Sequence, residues 1–178
     1  MIRLFTALEV PPDIAEALAR RQTGLPGARW RPLEALHVTL AFYGEMDERR
    51  ADDLTSELSR VRGEPFEINL SGVGAFGEDH RLRTLWAGVE GGERLPVLAG
   101  RCRTAGERAG LTLEKRVYKP HLTLAYLKPQ TDPARVAAWQ AGHNLLKSPT
   151  FRVDRFGLYS SVTGPDGGTY TLEREYPL

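Results

Sequence analysis

Apolar residues along this chain switch between a period of two and a helical period many times, which predicts many short elements of both kinds. Residues 3–10 read as a strand, with Leu4, Phe5, Ala7 and Leu8 on its apolar side. Pro11, Pro12 and Asp13 then open a helix, because proline suits a first turn and an acid there favours the dipole. Ile14, Ala17, Leu18 and Arg21 keep its spacing, Gly24 stops it, and the prolines and Gly27 within residues 25–33 predict a loop. A strand follows at about 36–43. Asp47 caps a second helix with Ala51, Leu54, Leu58 and Val61 on one face, ending near Gly63. Phe66, Ile68 and Leu70 alternate as a strand that runs into a glycine-rich turn over 72–77, and residues 83–89 form the next strand.

The second half follows the same style. A third helix starts around 93–96, turns Leu95, Leu98, Ala99, Cys102 and Ala109 inward, and stops at Gly110. A short extended piece at 111–113 and a basic segment at 115–119 lead to a strand that begins after Pro120. Asp132 and Pro133 cap a helix over 134–141 carrying Val136 and Trp139. Phe151, Val153, Phe156 and Leu158 form a strand whose alternation slips near Asp154, which predicts a bulge. A turn at 164–168 sends the chain into a last strand over 170–175.

Inside this pattern one phrase occurs twice. His37-Val38-Thr39-Leu40-Ala41-Phe42 returns as His121-Leu122-Thr123-Leu124-Ala125-Tyr126. Side chains alternate on a strand, so each copy buries its aliphatic pair and presents an imidazole beside a hydroxyl. The surroundings repeat too: Leu4-Phe5, a helix, a loop and the His37 strand are matched by Leu85-Trp86, a helix, a loop and the His121 strand. A strand–helix–strand unit used twice would place the histidines about a pseudo-twofold axis.

Composition narrows the chemistry. A net charge of +1 gives no broad footprint for duplex nucleic acid, so a nucleic-acid partner would be gripped at a short end. The lone Cys102 rules out an internal disulfide and a thiolate cage. No long apolar run or signal-like start is present, and a cytoplasmic protein without a membrane partner is expected. His37 and His121 are two ligands where zinc needs three or four, and His80 and His143 lack ligand spacing, so neither metal nor cofactor is expected. Gly72-x-Gly74-x-x-Gly77 has the spacing of a dinucleotide fingerprint, but a strand follows it rather than a helix.

Two imidazoles and two hydroxyls suit phosphoester chemistry. Histidine titrates near neutrality, so one ring can act as base and the other as acid on opposite sides of phosphorus, while Thr39 and Thr123 donate to non-bridging oxygens. The near-symmetry of the motifs leaves open which ring takes which role.

The repeated His-x-Thr-Leu, with the opening Arg3-Leu4-Phe5, Leu85-Trp86-x-Gly88 and Lys119-Pro120-His121, resembles the two-histidine (2H) phosphoesterases, and within them the RNA 2′,3′-cyclic phosphodiesterase branch once described as 2′-5′ RNA ligases. The resemblance implies one bilobal α+β domain over 1–178, two pseudo-symmetric lobes of antiparallel-rich sheet backed by helices around a central cleft. It implies an enzyme that opens terminal 2′,3′-cyclic phosphates on RNA to 2′-phosphates without metal, with His37 as proton donor and His121 as proton acceptor; a monomer acting on RNA ends such as tRNA fragments is expected. Reversible 2′-5′ joining, or a binding module without turnover, are the alternatives. Such relatives often carry arginine where this chain has Tyr126; Lys119, by parity with His121, and then Arg116 are the substitutes nearest in sequence. Strict alternation puts Phe42 and Tyr126 on the core faces of their strands, whereas a break at the strand end would free either ring to stack on a terminal base.

Overall fold

The computed structural model describes residues 1–78, 81–164 and 167–178. Nine strands and four helices appear among them: β1 (Ile2–Glu9), α1 (Pro12–Ala19), β2 (Ala28–Trp30), β3 (His37–Met46), α2 (Glu48–Leu58), β4 (Phe66–Phe76), β5 (Thr84–Glu90), α3 (Arg94–Arg108), β6 (His121–Leu127), α4 (Pro133–His143), β7 (Phe151–Val153), β8 (Arg155–Gly164) and β9 (Gly167–Pro177). All strand pairs are antiparallel, and the sheet runs β7-β4-β5-β6-β3-β1-β8-β9 with β2 added beside β6. The expected α+β class is present, with its two halves continuous in one sheet.

The halves meet at β3 and β6 through a single paired position, Val38 with Leu122. These are the residues that follow each histidine, so the pseudo-twofold lies between the motifs. The matching of the flanking strands differs slightly from the expected repeat. Thr39 pairs with Ala7 on β1 and Thr123 with Trp86 on β5, so the register equivalent of Trp86 is Ala7, not Phe5.

Helices cover one face of the sheet. Val38, Leu40, Leu122 and Leu124 pack into a core with Leu54 and Leu58 of α2 and Leu95, Leu98 and Cys102 of α3. Asp47 and Asp132 cap α2 and α4, their carboxylates accepting from the N–H groups of Arg50 and Ala134 at 2.9 Å. The hydroxyl of Tyr43 donates to the Cys102 carbonyl at 3.0 Å and fastens β3 to α3. Burial pushes the Cys102 thiol up to about 12, which leaves it an inert part of the core.

Several local expectations need correction. The loop over 25–33 contains β2, too short to show a period between prolines. The glycine-rich run is no turn but the second half of β4: Gly72 has φ +69° at a register shift, and a Cβ on Gly74 would lie 2.3 Å from the Trp86 ring, so glycine lets that indole lie across the strand. The slip at Asp154 is a change of partner, since β7 pairs with β4 and β8 with β1. Residues 111–113 belong to no strand. His80, and Pro165 and Asp166 of the expected last turn, lie outside the described residues.

Candidate active site

The sheet face away from the helices carries both motifs. In β3, Val38 and Leu40 are buried while His37 and Thr39 are half-buried; β6 repeats this with Leu122 and Leu124 against His121 and Thr123. Carried one residue either way, the Val38–Leu122 register sets His37 across from Thr123 and Thr39 across from His121. Each imidazole thus shares a face with the hydroxyl of its own strand, and the two motifs adjoin at this rung.

Both rings are held by their surroundings. His37 stacks on Phe5 at 5.0 Å and lies parallel to Tyr159 at 6.0 Å, with Tyr170 edge-on at 5.7 Å. Burial first, and the Arg31 guanidinium second, lower its pKa to about 4. His121 meets Phe76 edge-on at 4.8 Å and Trp86 at 6.5 Å. Its Nδ1 donates to the Lys119 carbonyl at 2.6 Å, a contact that assigns the tautomer and leaves Nε2 with the free lone pair. Burial lowers the pKa of His121 as well, against an upward pull from that carbonyl. Both histidines are therefore neutral near pH 7 in the free protein. A ring that is to donate a proton must gain it when an anion binds.

Phe42 and Tyr126 correct the strict-alternation expectation. Their side chains are 54% and 45% exposed and do not lie in the core. Each motif strand carries a bulge just after its threonine: Thr6 and Ala7 face Ala41 and Thr39, and Leu85 and Trp86 face Ala125 and Thr123. The extra residues, Leu40 and Leu124, reverse the alternation beyond them. Both aromatic rings thereby return to the histidine face, at equivalent places in the two halves.

Lys119 is exposed, with Nζ 5.9 Å from the centre of the Phe76 ring that touches His121, so it stands at the His121 end of the cleft. Arg116 pairs with Glu114 in an exposed segment. His143 stacks on Trp139 at 4.0 Å at the end of α4, a structural role. Among the described residues, no group of three or more His, Cys, Asp or Glu could hold a metal ion. A cavity of about 780 Å³ between α2 and α3 includes none of the motif residues in its lining. No helix among the described residues is long and apolar enough to cross a membrane.

One charged neighbour of the site was not legible in the sequence. Arg31 follows β2, and its N–H donates to the Leu124 carbonyl at 2.8 Å, which brings it beside Thr123. It is only 8% exposed. The guanidinium lies over Tyr126 at 4.9 Å and over Tyr170 at 5.3 Å, and donates to the Tyr170 hydroxyl. The sole signal was a basic residue a few positions before His37, inside a stretch that reads as loop. Arg3, over Phe42 at 5.6 Å, occupies a comparable place on the other side.

Two imidazoles and two hydroxyls on opposed strands, walled by aromatic rings, are the equipment of a two-histidine phosphoesterase. The chain belongs to the 2′-5′ RNA ligase superfamily, whose family pattern it matches over residues 10–165. It is 34% identical to the RNA 2′,3′-cyclic phosphodiesterase of Escherichia coli K12, over 99% of this chain and 96% of that protein. With the RNA 2′,3′-cyclic phosphodiesterase of Thermotoga maritima it shares 31% identity over 96% of this chain and 92% of that protein. Its fold matches E. coli LigT, solved in complex with 3′-AMP, with a TM-score of 0.81 at 24% identity, covering 99% of this chain and 98% of the other.

Proposed function

We propose that this protein is an RNA 2′,3′-cyclic phosphodiesterase, acting as a single bilobal unit over residues 1–178 without a metal. The observation that carries this reading is the meeting of the motifs at Val38 and Leu122, which gathers His37, Thr39, His121 and Thr123 on one face. The identity to two proteins bearing that name supports the substrate.

The Nδ1 bond to the Lys119 carbonyl holds Nε2 of His121 as an oriented acceptor, and His121 is assigned as the base. It takes a proton from water as the oxygen attacks phosphorus, and the bond from phosphorus to the 3′ oxygen breaks. His37, protonated when the anion binds, gives its proton to that departing oxygen. The product carries a 2′-phosphate, and the two rings regain their starting states through solvent. The hydroxyls of Thr39 and Thr123 donate to the non-bridging oxygens. Phe42 or Tyr126 stacks on the terminal base, and Lys119 attracts the strand at the His121 end. The same reading assigns the chain to the cytoplasm, as a monomer serving RNA ends such as tRNA fragments.

A second reading is 2′-5′ joining, in which a ribose 5′-hydroxyl replaces water. The exposed rings at matching positions in both halves favour it, because they offer a surface to a nucleoside on each side of the phosphate. One experiment tests both. EDTA-treated protein is incubated with RNA ending in a 2′,3′-cyclic phosphate, with and without a 5′-hydroxyl acceptor, and the phosphate position is determined. A 2′-phosphate product is expected; an intact end refutes the hydrolytic assignment, and a 3′-phosphate product refutes the departure of the 3′ oxygen.

A further inference from the structure

A phosphodiester brings a negative charge to a site whose central groups, in the free protein, carry none. Thr39, Thr123 and Tyr126 are uncharged, and burial keeps His37 and His121 neutral. Lys119 is an exposed, water-screened cation at one end of the cleft.

Arg31 stands in a different setting. It is 8% exposed, and no carboxylate pairs with it among the described residues. Burying a guanidinium without a counter-ion is unfavourable, and such a residue is retained where an anion completes it. Its placement is fixed from several sides. The backbone N–H donates to the Leu124 carbonyl at 2.8 Å, and Gln22 Nε2 donates to the carbonyls of both Arg31 and Leu124, at 2.9 and 3.0 Å. The planar head is held between the rings of Tyr126 and Tyr170. Tyr170 in turn lies edge-on to His37, and Leu124 is the residue after Thr123. The guanidinium therefore borders the half of the site formed by His37 and Thr123. A planar, preorganised fork of donors is the side chain best shaped to hold a phosphate by two oxygens.

We propose that Arg31 is the phosphate-binding cation of the cleft, contacting the non-bridging oxygens of the reacting phosphate. This rests on the phosphodiesterase reading for its substrate, but its test reads binding rather than turnover. Lys119 is the rival. Arg31→Gln, Arg31→Lys and Lys119→Ala are compared with wild type for affinity towards adenosine 2′-monophosphate and inorganic phosphate across a range of salt. Arg31→Gln is expected to weaken both by at least about tenfold, as loss of hydrogen bonds to a charged group does. It should also reduce the salt dependence, whereas Arg31→Lys keeps the salt dependence and loses part of the affinity. Arg31→Gln binding both probes as wild type does, or Lys119→Ala alone taking the loss, overturns the proposal.

A variant that fails to fold is replaced by a measurement on the wild type. The Arg31 Nε–H resonance, assigned in the wild type through its proximity to the Tyr126 and Tyr170 rings, should move as either phosphate is added; a resonance unmoved at saturation overturns the assignment. Protein that binds both phosphates through Arg31 yet leaves cyclic ends intact would sink the hydrolase reading alone. Turnover that is independent of Arg31, with unchanged phosphate affinity, would sink this proposal alone.

Discussion

The neutrality of His37 in the free protein has a measurable cost at low pH. Its imidazole is enclosed by Phe5, Tyr159 and Tyr170, faces Glu9 across β1, and feels Arg31. The folded pKa of about 4 lies below the ordinary value of 6.5, so the unfolded chain takes up the proton first. Stability is then unaffected above pH 6.5 and falls as the pH drops from there towards 4. Between about pH 7.5 and about pH 4.5 the loss from this one group comes to roughly 2.5 kcal/mol. Denaturant unfolding of wild type and of His37→Asn at both pH values isolates it, because all other titrations are shared. The wild type should lose about 2.5 kcal/mol more than the variant. Equal losses, within about 0.5 kcal/mol, would refute the desolvation argument. Linkage gives a companion test on the same residue. If a phosphate raises the pKa of His37, lower pH must tighten binding of adenosine 2′-monophosphate, and the ring's NMR titration must move upward when the ligand is present. A titration already near 6.5 in the free protein would defeat the desolvation argument, and one that the ligand leaves unmoved would defeat the linkage.

Other outcomes follow from the same geometry. His37→Ala and His121→Ala should each lose at least about 10²-fold in turnover of a cyclic phosphate end while keeping the wild-type circular dichroism; near-normal turnover in either removes paired acid–base catalysis. Thr39→Val and Thr123→Val, which keep shape and lose a donor, should cost about ten- to a hundredfold in kcat/KM. Phe42→Ala and Tyr126→Ala should reveal which ring meets the base, through a rise in KM equivalent to roughly 1–3 kcal/mol in one of them, and no change in either denies both rings a role. Gly74→Ala places a methyl against the Trp86 indole, so it should displace that ring and disturb His121 beside it; a variant with wild-type stability and rate would show that the contact can relax freely.

The motif strands were legible because their period-two pattern and their chemistry are written in the same residues: the aliphatics that fix the buried face also fix where His37 and His121 point. Helix starts at Asp47 and Asp132 were legible for a local reason, a carboxylate that reaches its own helix's N–H groups. The misplaced features depend on partners distant in sequence. Phe42 and Tyr126 reach the cleft through bulges that exist only against β1 and β5, and nothing within the hexapeptides announces an extra residue. Gly74 reads as turn punctuation until Trp86 is laid across it. Arg31 directly follows a strand of three residues whose existence depends on the edge of β6 left open where β3 turns away. His37 as a neutral ring was likewise out of reach, since its walls come from β1, β8 and β9.

The single rung between Val38 and Leu122 has a consequence for how such a protein can vary. The spacing of the two imidazoles is set by two fully buried aliphatic side chains and by the helices that press on them, so catalytic tuning is available to residues that never meet the substrate. A methyl gained or lost beneath this rung would act like a turn of an adjusting screw. Random libraries selected for altered turnover should accordingly yield changes at Leu54, Leu95 or Leu98 as readily as at the cleft. Damage to one half of the site should find suppressors in the core beneath the other.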